Sequence, residues 1–137
     1  MPTPKHILLL EDVPQIARFV GQILNDAGFS YDWYQNPCIA FEKLEETPVL
    51  YDAIVCDWNM PPTCNRLSMD GDRVLHKVRR GRLTKCGIPQ DIPFVMCSAF
   101  DDEEHIKKAL KWGANLYQIK NPTTPLSEMV NYLQSLP

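Results

Sequence analysis

Five positions pair a reactive side chain with one shared setting, the end of a short apolar run. Glu11 and Asp12 follow residues 6–10, Asp57 follows 51–56, Ser98 follows 93–97 and Lys120 follows 115–119. Carboxylates gathered on one edge repel one another and raise at least one pKa unless a cation intervenes. A hard divalent ion resolves that repulsion, and magnesium takes a few protein oxygens while keeping several waters. Glu11, Asp12 and Asp57 supply such a set. Asp57 can attack a phosphorus centre directly and give an aspartyl phosphate. Transfer of that kind depends mostly on positioning and on neutralising the equatorial oxygens. The Lys120 ammonium can pair with one of these and the Ser98 hydroxyl can hydrogen-bond another. Taken singly, the two acids can be helix caps, the lysine a solvated strand end and the serine a turn residue. Their joint placement carries the argument.

The elements that must hold them are short. Residues 6–10, 51–56, 93–97 and 115–119 are apolar runs suited to parallel strands covered on both faces, and 30–34 reads as a weaker edge strand. Between them lie helical patterns. Asp12 can cap the first, Pro14 fits its first turn, and Ile16, Phe19, Val20, Ile23 and Leu24 recur at spacings of three and four until Gly28 stops it. Asn36 and Pro37 restart a helix to about residue 46, and 71–82 carries Val74, Leu75 and Val78 on one face. Asp101 and Glu104 have capping-box spacing before a helix closed by Gly113, and Thr124 and Pro125 open a last helix with a stripe of Met129, Val130, Leu133 and Leu136. Alternating units of this kind imply an α/β fold, a parallel sheet with right-handed crossovers and functional groups at the carboxyl ends of the strands.

Composition narrows the class. The 137 residues suit one domain spanning 1–137, 45% are hydrophobic and 23% charged, and the net charge of −3 argues against general nucleic-acid affinity. No apolar stretch approaches the roughly 20 residues of a membrane helix, and the first six residues lack the apolar region of a secretory signal. Five cysteines without a CxxC pair argue for reduced thiols in a cytoplasmic protein rather than a disulfide framework or zinc site. Cys56 and Cys97 each precede a site residue and read as buried small hydrophobes.

With these motifs assembled, the chain resembles the receiver domain of two-component response regulators, typified by the chemotaxis response regulator. The resemblance rests on Glu11-Asp12 after ILLL, AIVCDWNMP around Asp57, Met69-Asp70-Gly71, Ser98-Ala99 after FVMC, and Lys120. It implies a flavodoxin-like, doubly wound five-stranded parallel sheet in the order 2-1-3-4-5. It implies phosphoryl transfer to Asp57 from a phosphohistidine on a histidine kinase or histidine phosphotransfer protein. It also implies Mg2+ held by Glu11 or Asp12, Asp57 and the Asn59 backbone carbonyl. In that family Ser98 matches the switch hydroxyl, Lys120 the phosphate-binding lysine, and Tyr117 the switch aromatic that rotates inward. Asn59 and Phe100 match positions that tune phosphoryl lifetime. Such a domain catalyses only its own modification and turns over no metabolite; its output, whether a target protein or an attached domain, is not named by the sequence.

Two other readings compete. A pseudo-receiver would keep the fold as a protein-binding module without phosphorylation, which the intact acid pair, acceptor, hydroxyl and lysine argue against. A phosphohydrolase or dehalogenase-like enzyme usually carries a second aspartate two residues after its nucleophile, where Asn59 stands. The sequence departs from the family pattern in three places. Residues 62–69 lengthen the loop before Asp70, and a tolerated surface insertion is the simpler reading. Residues 81–91 form a second extension after the basic cluster of Arg73, Lys77, Arg79, Arg80, Arg82 and Lys85, which reads as a solvated helix end or a patch for an acidic partner. Asn121 separates Lys120 from Pro122, where the family usually has proline directly after the lysine, across a cis bond.

Overall fold

In the computed structural model, residues 5–60, 69–121 and 125–137 are described. Five strands alternate with five helices: β1 (His6–Leu10), α1 (Pro14–Asp26), β2 (Ser30–Tyr34), α2 (Pro37–Glu46), β3 (Ala53–Cys56), α3 (Gly71–Arg79), β4 (Phe94–Ser98), α4 (Glu103–Lys111), β5 (Leu116–Ile119) and α5 (Ser127–Gln134). All strand pairs are parallel, in the order β2-β1-β3-β4-β5, which is the doubly wound topology the family resemblance implies.

Strand alternation splits the core into two layers. Ile7, Leu9, Val55, Val95 and Cys97 face Val20 and Leu24 of α1 and Met129 and Leu133 of α5. Leu8, Leu10, Ile54, Cys56, Phe94 and Met96 face the opposite layer, with Leu44 of α2, Val74, Leu75 and Val78 of α3, and Ala109 of α4. Both faces of the central strands are covered, which explains their continuous apolar runs.

The helix ends depart from expectation in informative ways. Val13, in extended conformation, occupies the cap position of α1 without a side-chain bond, and its N–H donates to Glu11 Oε2 at 3.2 Å. Asp12 is therefore not the cap. At α4 the cap is Asp102 rather than Asp101: its carboxylate accepts the His105 N–H at 3.1 Å and pairs with the His105 ring at 2.7 Å. The third helix stops at Arg79, not 82, because the chain turns through Gly81 with φ 73°. The extension beyond it forms a 3-10 turn, Thr84–Cys86, and buries Leu83, Cys86, Ile88 and Ile92 in the core. Leu83, Cys86 and Ile88 thus anchor the 81–91 extension on the core, while Arg82 and Lys85 of the basic cluster stay exposed. In the last helix, whose first residue is Ser127, Met129 and Leu133 are fully buried while Val130 is only partly so, and Leu136, also partly buried, lies beyond the helix end.

Cys38 is disulfide-bonded, which corrects the expectation of five reduced thiols; among the described residues Cys56, Cys86 and Cys97 are free and buried. Most of the 62–69 loop, the Asn121–Pro122 bond and Thr124 also lie outside the described residues. Among the described residues no helix is long and apolar enough to cross a membrane.

Candidate functional site

Sheet register brings the reactive residues together. Leu10 pairs with Cys56, Cys56 with Met96, and Ser98 with Ile119. One step further along each strand, the Asp57 N–H donates to the Leu10 carbonyl at 2.9 Å and the Lys120 N–H to the Ser98 carbonyl at 2.7 Å. Glu11, Asp57, Ser98 and Lys120 therefore leave the sheet as one row along its carboxyl edge.

The acids meet at that edge. Glu11, Asp12 and Asp57 each offer a carboxylate oxygen, and these lie within 4.8 Å of one another. The Lys120 ammonium sits among them, 2.6 Å from Glu11 Oε1 and 3.2 Å from Asp57 Oδ1. Burial pushes the Glu11 carboxyl up, and the Asp57 charge adds to this against the pull of Lys120. Burial and the neighbouring Glu11 also raise Asp12. Burial alone would lower Lys120, but Asp57 and Glu11 together outweigh it and keep the ammonium charged.

Three carboxylates against one ammonium leave an excess of negative charge, and every donor in the set is a hard oxygen. That chemistry fits a magnesium ion and suits no soft metal. Burial raises Cys97 to about 12 and Cys56 well above its usual range, so both neighbouring thiols stay protonated and serve as packing.

The loop after β3 is held tightly beneath the acceptor. Asp57 Oδ1 accepts the Trp58 N–H at 2.8 Å, Asp70 Oδ1 accepts the Met60 N–H at 3.1 Å, and the Gly71 N–H donates to the Trp58 carbonyl at 2.7 Å. A Cβ on Gly71 would fall onto the Asp57 carbonyl oxygen, so the start of α3 can approach the acceptor strand only as glycine. This is the physical reason for the Asp70-Gly71 pair, which the sequence marks without explaining.

The other singled-out residues line the adjoining wall. Ser98 is buried, and its hydroxyl oxygen accepts the Phe100 N–H at 3.2 Å. Tyr117 is turned inward, only 8% exposed, with its hydroxyl donating to the Phe100 carbonyl at 2.7 Å. Phe100 stacks on His105 at 4.1 Å between ring centres, and His105 makes a T-shaped contact with Trp58 at 4.7 Å. Asn59 is exposed in the loop after the acceptor. His105 was not singled out in the sequence; its one local signal is its place three residues after Asp102. Beside Lys120 a groove of about 370 Å³ opens between Ile16 and Phe19 of α1 and Ala99 and Asn121.

A five-stranded doubly wound sheet with three acids and a lysine at its carboxyl edge defines a receiver-type α/β domain. Comparison with known proteins agrees: residues 7–131 match the family model of the response regulator receiver domain, and the chain belongs to that family of two-component signalling. It is 30% identical over 118 residues to the chemotaxis protein CheY-3 of Vibrio cholerae, covering 83% of this chain and 78% of that one. It is 31% identical over 131 residues to the transcriptional regulatory protein QseB of Haemophilus influenzae, covering 96% of this chain and 52% of QseB. The chain spans 43% of another relative, the transcriptional activator protein IrlR of Burkholderia pseudomallei, so it corresponds to about half of these longer regulators. Among solved structures, the Francisella response regulator 1452 receiver domain superposes with a TM-score of 0.75 at 26% identity, covering 96% of this chain and 95% of that one.

Proposed function

We propose that residues 1–137 act as one receiver domain in which Asp57 accepts a phosphoryl group from a phosphohistidine on a histidine kinase or histidine phosphotransfer protein. The observation that carries this reading is the position of Lys120, whose ammonium bridges Glu11 and Asp57 at the open edge of the sheet. One Asp57 carboxylate oxygen attacks phosphorus as the P–N bond breaks, and the bonding electron pair leaves with the imidazole nitrogen. A bound Mg2+ supplies charge neutralisation to the phosphoryl oxygens, with Glu11, Asp12, Asp57 and the Asn59 backbone carbonyl as the oxygens to hold it.

Lys120 stands close enough to Asp57 to transfer its pairing to a phosphoryl oxygen. The Ser98 hydroxyl, whose oxygen accepts the Phe100 N–H and which also bonds the Tyr117 phenol, can turn to donate to another. Movement of Ser98 toward the phosphoryl group then pulls on the 98–100 backbone, to which the Tyr117 hydroxyl is bonded. Phosphorylation thereby biases the surface around Tyr117, a population shift between two loop arrangements. Asn59 and Phe100 flank the path of an attacking water and tune the lifetime of the phosphoryl group. The groove beside Lys120, with the apolar Ile16 and Phe19, is the side from which a phosphodonor can approach.

Intact-mass measurement after treatment with acetyl phosphate and Mg2+ tests this reading. One labile phosphoryl group is expected in the wild type and none in Asp57→Asn. An unmodified wild type, or a label that survives the substitution, overturns it. An unmodified wild type would instead favour a receiver fold used for protein binding alone.

A further inference from the structure

The basic cluster flanking α3 is not used by the acceptor chemistry, and it divides into two parts. Arg79 is structural: its guanidinium donates to the carbonyls of Gly113, Gln90 and Ile92 and to Asn115 Oδ1 at 2.7–3.0 Å. Arg73, Lys77 and Arg82 face a separate cleft of about 380 Å³, which His76 and Trp112 also line. Residues 73, 76 and 77 share one helix face because their spacing is three and four, and burial of Val74, Leu75 and Val78 fixes that face outward.

We propose that this cleft, between α3 and the end of α4, docks an acidic peptide segment of a partner protein. Among the described residues, Arg73, Lys77 and Arg82 form no ion pair with a carboxylate. The acid beside them on the helix, Asp72, is held by Lys108 at 2.9 Å. The positive charge is therefore unbalanced locally, on a chain whose net charge is −3. Trp112 supplies a preset apolar wall: its ring lies 5.2 Å from that of His76 and carries Lys108 at 4.9 Å. Arginine forks match carboxylates in paired geometry, and an exposed tryptophan accepts the apolar stem of a glutamate. The overall negative charge opposes a phosphate backbone, which makes a short acidic peptide the better fit than a nucleic acid.

Fluorescence anisotropy with a labelled seven-glutamate peptide, its seven-glutamine counterpart and an oligothymidine of equal length tests the proposal on the full chain. The glutamate peptide is expected to bind saturably at low salt and the glutamine peptide not to bind. Combined Arg73→Glu, Lys77→Glu and Arg82→Glu should weaken the glutamate peptide by about tenfold or more. Far-UV circular dichroism and retained acetyl phosphate labelling of Asp57 check that the variant is folded. Should it not fold, the single variants Lys77→Gln and Arg82→Gln are used, each expected to weaken binding about threefold. Absence of saturable binding, binding that survives charge removal, or oligothymidine binding as tight as the peptide each overturns the proposal. Because labelling of Asp57 is read separately, its failure would count against the phosphoacceptor reading and not against this one.

Discussion

The Lys120 ammonium lies 2.6 Å from Glu11 Oε1, an ion pair between the two buried charged side chains among the described residues. Removing one partner of such a pair leaves the other uncompensated in a dry setting. Lys120→Met should therefore cost about 3 kcal/mol in chelator, the lower end of the range for breaking a buried pair. Saturating Mg2+ should return part of that loss, because an ion bound only by the folded state stabilises it. Urea denaturation with and without Mg2+ measures both. Equal loss in the two conditions would count against a cation site among these acids.

Gly71 makes a second, steric test. Its missing side chain lets the first turn of α3 pass directly over the Asp57 carbonyl, and an added Cβ would also come within 3.0 Å of the Trp58 Cα. Backbone cannot retreat as a flexible side chain can. Gly71→Ala is expected to cost about 1–3 kcal/mol and to slow acetyl phosphate labelling by displacing Asp57. Wild-type melting and labelling rates in the variant would show that the approach is looser than described.

The site was legible before the fold because parallel strands deliver whatever follows them to one edge. Glu11, Asp57, Ser98 and Lys120 could each be found by reading one residue past an apolar run, and register alone aligns them. Less legible was anything decided by side-chain reach across the molecule. Adjacent acids at 101 and 102 carry the same capping signal, and only the contact with His105 selects Asp102. Arg79 looks like its basic neighbours in sequence, yet it serves the starts of two strands while Arg73, Lys77 and Arg82 face a cleft. The 81–91 extension stands out in sequence only as an insertion, and its buried Leu83, Cys86 and Ile88 emerge only when α2 is packed over it.

That division of the basic cluster has a stability consequence. Arg79 joins the end of α3 to the starts of β4 and β5, and Asn115 Oδ1, which accepts from its guanidinium, also accepts the Phe94 N–H at 2.9 Å. Lysine cannot reproduce a planar fork reaching four acceptors. Arg79→Lys should lose about 2 kcal/mol, whereas Lys77→Gln and Arg82→Gln should leave the unfolding midpoint almost unchanged. Chemical denaturation of the three variants side by side separates the structural arginine from the exposed cations.

Asp102 gives the molecule a predictable acid response at α4. The hydrogen bond from the His105 side chain, reinforced by the His105 N–H, holds the Asp102 carboxyl below its usual range. A carboxyl depressed in the folded state binds fewer protons there than in the unfolded chain, so its contribution is present above the unfolded pKa. That contribution fades as the pH falls through the folded value. Asn is also a good cap, so Asp102→Asn keeps the bond to the helix N-terminus while removing the charge. Melting curves of wild type and Asp102→Asn should differ at neutral pH, with the wild type more stable, and converge in acid below the normal carboxyl range. A gap that stays constant down to acid pH would mean that the His105 contact contributes nothing through charge.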